Sequence, residues 1–89
     1  MNPVEEFKAR ALADGFTELV FREWEPNRIV TEHRHSFVLR ALVTRGSMLL
    51  TVDGAGRHLM PGDEFSLLRD VLHAEHYGSQ GADYWVARR

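Results

Sequence analysis

The spacing of apolar positions along the chain changes once, near Phe16. Before it, Val4, Phe7, Ala11 and Leu12 recur at three- and four-residue intervals, with Glu5, Glu6, Lys8 and Arg10 largely elsewhere. That is the spacing of one face of an α-helix. Asn2 is a good cap, Pro3 suits the first helical position, and Glu5 stands three after the cap. Gly15 is the stop. The pattern predicts a short helix and loop over residues 1–15, the helix laying its apolar stripe on the outside of a sheet or on a partner.

From Phe16 onward the period is two. Residues 16–24 are rich in β-formers, and Pro26-Asn27 reads as a turn. Residues 28–43 read as one or two strands, with His33, His35, Phe37, Leu39, Ala41 and Val43 on one face. Arg34, Ser36, Arg40 and Thr44 dominate the other. The first face is the more apolar, so it should be the buried one, and the two histidines should look inward. Arg45-Gly46 reads as a turn, residues 47–52 as a strand, Asp53-Gly54 as a hairpin turn and residues 56–60 as the return. Pro61-Gly62-Asp63 is a further turn, in which Asp63 should bond its own backbone. Strands follow over 64–68, 71–77 and 82–87, separated by a corner at Arg69-Asp70 and a turn over Gly78 to Gly81. One helix with seven or eight short strands argues an all-β domain, an antiparallel barrel or sandwich. Crossover helices for a parallel sheet have no room.

Candidate chemistry gathers at His33 and His35. Strand side chains alternate, so residues two apart share a face and two imidazoles can reach one metal ion. His73, at the start of a later strand, is the candidate third ligand, and Glu75 shares its face. Glu75 has two readings, a ligand or a carboxylate that salt-bridges at the barrel mouth. His58, in a hairpin, and His76, on the opposite face, are expected in solvent or at an interface. Trp24, Phe37, Phe65 and Trp85 are expected in the core or an interface. Three neutral imidazoles with open positions suit Fe, Zn, Mn, Ni or Cu.

Composition narrows the chemistry. The chain has 89 residues, enough for one small domain, and no cysteine, so thiolate sites and disulfides are excluded. Eleven basic against thirteen acidic residues give a formal charge of −2, with no basic footprint for nucleic acid. No apolar run reaches membrane-spanning length and the N-terminus lacks a signal-peptide pattern, so a cytoplasmic protein is the default expectation. A barrel this small with an edge strand and surface aromatics would gain by pairing, which predicts a homodimer.

The spacing resembles the cupin superfamily. Its first motif reads G-x5-H-x-H-x3-4-E-x6-G, and here Asn27, His33, His35 and Gly46 fall on the first glycine, the histidines and the last glycine. Leu39 (Arg40 with the longer gap) stands at the glutamate. The second motif reads G-x5-P-x-G-x2-H-x3-N. Gly62 and His73 fit it, with Leu68, Asp70 and Tyr77 at the proline, second glycine and asparagine. The resemblance covers residues 27–77. It implies a single cupin domain over 1–89, a jelly-roll barrel over 16–89 behind the N-terminal helix. In many metal-binding members the motif glutamate is a fourth ligand. Its loss implies a three-histidine site of the kind some thiol and diketone dioxygenases use, a site completed by Glu75, or a barrel that binds without metal. The functions so implied are a metal-dependent dioxygenase or isomerase for a small organic molecule, a non-catalytic small-molecule-binding or sensor module, or a structural role with an empty barrel. Fold alone does not choose among them.

Overall fold

The computed structural model describes residues 2–89. Helix α1 spans Pro3–Ala13, followed by β1 (Glu18–Trp24), β2 (Ile29–His33), β3 (Leu39–Val52), β4 (Ala55–Leu59), β5 (Glu64–Leu67) and β6 (His73–Arg88). The Asn2 side chain accepts from the Glu5 amide, and Gly15 follows the helix at a positive φ of 85°. Phe7 and Ala11 are fully buried against Phe16, Leu42 and Ala87, on the outer face of the sheet. Leu12, expected in the same stripe, is instead 71% exposed. An eleven-residue helix lying on a sheet buries a face narrower than the apolar positions available to it.

Among the described residues there are six strands rather than seven or eight, because β3 and β6 are each one long strand where two were expected. They pair antiparallel with each other from Leu39↔Arg88 to Val52↔His73. At one end β1 joins the far side of β6 and β5 the far side of β3. At the other end β2 and β4 take those places. Two four-stranded layers thus share two strands that pass from one layer to the other. The expected turns at Arg45-Gly46 and at Gly78 to Gly81 are the bends that allow this. Gly46 and Gly81 both have positive φ, 73° and 71°. A Cβ on Gly46 would strike the Gly81 carbonyl, and one on Gly81 the Trp24 carbonyl. Glycine at these positions is required by a close approach of backbones within a sheet, not by a reversal of the chain.

The register slips at these bends, and the slip exchanges inside and outside. Leu39, Ala41 and Val43 face in before it, Met48 and Leu50 after it; on β6, Tyr77 and Tyr84 both face in although they are seven apart. The core between the layers is built from these residues with Leu59, Phe65, Leu67 and Val86. The expected hairpin at Asp53-Gly54 is present, with both residues at positive φ. In the turn after β4, the Met60 amide donates to Asp63 Oδ2 at 2.8 Å. Among the described residues, no helix is long and apolar enough to cross a membrane.

Candidate metal centre

His33 closes β2 and His73 opens β6, and the two are cross-strand partners. The previous pair is Val30↔Glu75, so β2 spends three residues where β6 spends two. This bulge aims the His33 ring. Its Nδ1–H donates to the Thr31 carbonyl at 2.8 Å, and the Nδ1–H of His73 donates to the Val71 carbonyl at 2.9 Å. Each ring is tethered to the carbonyl two residues back, which fixes the tautomer and leaves Nε2 as a lone pair. Two histidines of different strands therefore present the same metal-ready atom for the same local reason.

His35 is not on a strand as expected; it lies in the connection between β2 and β3. The connection is held in place from the other motif. The Asp70 amide donates to the His35 carbonyl at 2.8 Å, and Arg69 Nε donates to the Ser36 carbonyl at 3.0 Å. The His35 ring stacks on Phe37 with centroids 4.7 Å apart. Burial, with the neighbouring His33 and His73 next in weight, lowers its pKa below the ordinary histidine value. Asn27 and Asp70, which stand where the cupin motifs have glycine, take positive φ of 60° and 65°. Asn and Asp tolerate that conformation better than other residues with a side chain, so the backbone path survives both replacements.

One ring nitrogen from each of His33, His35 and His73 lies within 4.8 Å of the other two. Glu75 joins them and is 8% exposed. Its Oε2 is 3.2 Å from His33 Nε2 and 3.8 Å from His73 Nε2. That oxygen is buried and has no hydrogen-bond partner. A carboxylate oxygen facing imidazole lone pairs is repulsive unless a cation, a proton or a metal ion, lies between them. The donor set of three nitrogens and one oxygen fits a borderline or first-row transition metal. Leu39, at the motif's glutamate position, is buried and forms part of the apolar wall instead.

The other Glu75 oxygen ends a chain of hydrogen bonds that sequence reasoning missed. Trp24 Nε1–H donates to the Tyr84 hydroxyl at 2.8 Å, and Tyr77 OH donates to Glu75 Oε1 at 3.0 Å. The two phenols are 2.9 Å apart. Tyr77 has spent its only hydrogen on Glu75, so Tyr84 must donate to Tyr77. Burial raises both tyrosines above the ordinary phenol value of 10.0. The available signal was the composition of the inward face: Trp and Tyr carry polar heads that need partners when buried.

The site opens into a cavity of about 170 Å³ walled by Val20, Leu39, Phe65 and Val86, with Arg22 and Arg88 also lining it. His58 and His76 are exposed and outside the site, as expected.

Antiparallel layers, shared long strands and an inward cluster of histidines at one end define a cupin-type jelly-roll barrel. Solved structures bear this out. KdgF from Halomonas sp. superposes with a TM-score of 0.68 at 20% identity, over 80% of this chain and 67% of that one. An RmlC-like cupin from Shewanella frigidimarina gives 0.69 at 21%, over 79% and 63%. An oxalate decarboxylase variant from B. subtilis gives 0.70 at 20%, over 79% and 20%. At these identities the likeness is one of fold, and the chain spans only part of each of those proteins. Compared by sequence, it matches no family model and no curated protein.

Proposed function

We propose that His33, His35, His73 and Glu75 bind one divalent first-row transition metal, and that the barrel is a metal-dependent enzyme for a small organic molecule, a dioxygenase or isomerase. The observation that carries this is the orphaned Glu75 Oε2, buried and aimed at the Nε2 atoms of two tethered histidines. When bound, such an ion supplies Lewis acidity or oxygen chemistry to a molecule that takes its open positions. The chain's own residues do the rest. Thr31 and Val71 orient the imidazoles, Tyr77 holds the carboxylate, and the apolar walls exclude water.

The reading extends to residues 1–89 as a single domain, because α1 shares a core with the sheet. It also extends to a homodimer. β1 ends the sheet with β6 on one side only, and its outer Leu19 and Phe21 are 43% and 42% exposed. Equilibrium sedimentation would show it.

Metal analysis of tag-free, chelator-free protein tests the central point. One equivalent of a first-row metal, lost in His73→Ala, is expected. Absence of metal, with no rise in melting temperature on adding Fe, Mn, Ni, Zn or Cu ions, would overturn it. A second reading, a non-catalytic small-molecule-binding module, is favoured by one observation. Among the described residues, Glu75 is the one carboxylate lining the cavity, so its ligation would leave none of them as a general base. Turnover by the metal-loaded protein separates the two.

A further inference from the structure

Among the described residues, Glu75, Arg88 and Arg22 bring charged side chains to the cavity, and their partners differ. Glu75 is committed to Tyr77 and the imidazoles. Arg88 is paired with Glu18 at 2.7 Å. Arg22 has no carboxylate within ion-pairing distance among the described residues. It is not a freely waving surface cation either. Its guanidinium lies over the Trp24 ring, 5.1 Å from the centroid. Trp24 in turn is stacked on Tyr77 at 5.0 Å and bonded to Tyr84. Arg22 also sits opposite Tyr84 in the β1–β6 register. The guanidinium is therefore seated on the same buried aromatic assembly that holds Glu75, at the solvent side of the cavity. A stacked guanidinium keeps its planar fork free for an anion, and little conformational freedom is left to lose on binding.

We propose that Arg22 is the anion-recognition residue of this cavity and that the ligand is a small carboxylic acid. Its carboxylate would lie on the Arg22 fork and its apolar body against Val20, Phe65 and Val86, pointing toward the histidines. This rests on the reading that the cavity takes a small molecule, and adds the class of molecule. A planar carboxylate matches the guanidinium fork bidentately. The cavity is small, about 170 Å³, so the body is only a few carbons long.

The test uses butanoate, its neutral counterpart butanamide, and inorganic phosphate, titrated by NMR into metal-stripped and zinc-loaded protein. Butanoate is expected to bind both forms at least tenfold more tightly than butanamide. Arg22→Gln should weaken butanoate roughly 10- to 100-fold, the worth of a charged hydrogen-bonded contact. Arg22→Lys should fall between, because it keeps the charge and loses the fork. Arg22 is exposed, and unchanged melting temperatures would confirm that both variants fold. Phosphate binding as tight as butanoate would overturn the carboxylate assignment. Butanoate binding only to zinc-loaded protein, and equally to Arg22→Gln, would also overturn it, while leaving the metal reading intact. Conversely, Arg22-dependent binding to protein that takes up no metal upholds the inference even where the metal reading fails.

Discussion

Tyr77 donates its hydroxyl hydrogen to Oε1 of Glu75 at 3.0 Å, two residues back on the same face of β6. The bond turns the second oxygen, Oε2, toward His33 and His73. The carboxylate is thereby anchored on one side and offered on the other. Tyr77→Phe removes the anchor and also the acceptor for Tyr84. Because both groups are buried, a loss of about 1–3 kcal/mol in unfolding free energy is expected by denaturant titration. Metal affinity should fall with it. A variant as stable as the parent would show that the chain of hydrogen bonds is not formed in solution.

Glu75→Gln separates a ligand from a structural carboxylate. The amide oxygen can still accept from Tyr77, and the amide NH2 can donate to the free Nε2 of His33. Metal-free protein should therefore keep its melting temperature or gain. Metal affinity should drop roughly 10- to 100-fold, measured by competition with a chromophoric chelator. Unchanged affinity would return Glu75 to a purely structural role.

Tyr77 and Tyr84 are the chain's two tyrosines, so its phenolate absorbance reports on the buried pair alone. Both have raised pKa values in the folded state, chiefly through burial. The sign follows from linkage. The folded protein holds these protons more tightly than the unfolded chain, so the contribution to stability is full below pH 10. It is lost as pH rises above that value toward the folded pKa. Phenolate absorbance should stay flat through pH 10 and then rise together with loss of the far-ultraviolet β signal. A smooth titration centred near pH 10 in folded protein would contradict the buried chain.

Gly46→Ala should disrupt the barrel more than its position within a strand suggests. The added Cβ meets the Gly81 carbonyl, and φ is 73°. Strain of about 1–2 kcal/mol from the left-handed backbone adds to about 1–3 kcal/mol of overpacking. Thermal melting is expected to show a large fall or no cooperative transition. Gly54→Ala, at φ 77° but with open space around it, should cost only the backbone strain.

Much of the molecule could be read from the order of its residues. The helix cap at Asn2 and Pro3, the Asp53-Gly54 hairpin and the Asp63 turn are local matters, decided by a few neighbouring residues. The same holds for the spacing that singled out His33, His35, His73 and Glu75. Alternation within a strand, and fixed separations between motifs, are enough to mark residues that the fold then brings together. Glycine was the misleading signal. At Asp53-Gly54 it reverses the chain. At Gly46 and Gly81 the same preference for positive φ serves a bend inside a strand, and only the approach of the other strand distinguishes the two.

That bend decided what sequence could not. It exchanges inside and outside along β6, so counting by twos from Tyr77 would put Tyr84 on the wrong face. With Tyr84 turned inward, Trp24 finds a partner, Tyr77 is left to hold Glu75, and Arg22 finds a seat at the cavity. Sequence determined which groups were available and which faces they shared within each strand. Tertiary structure decided which strands met, because register shifts and cross-strand contacts depend on residues far apart in the chain.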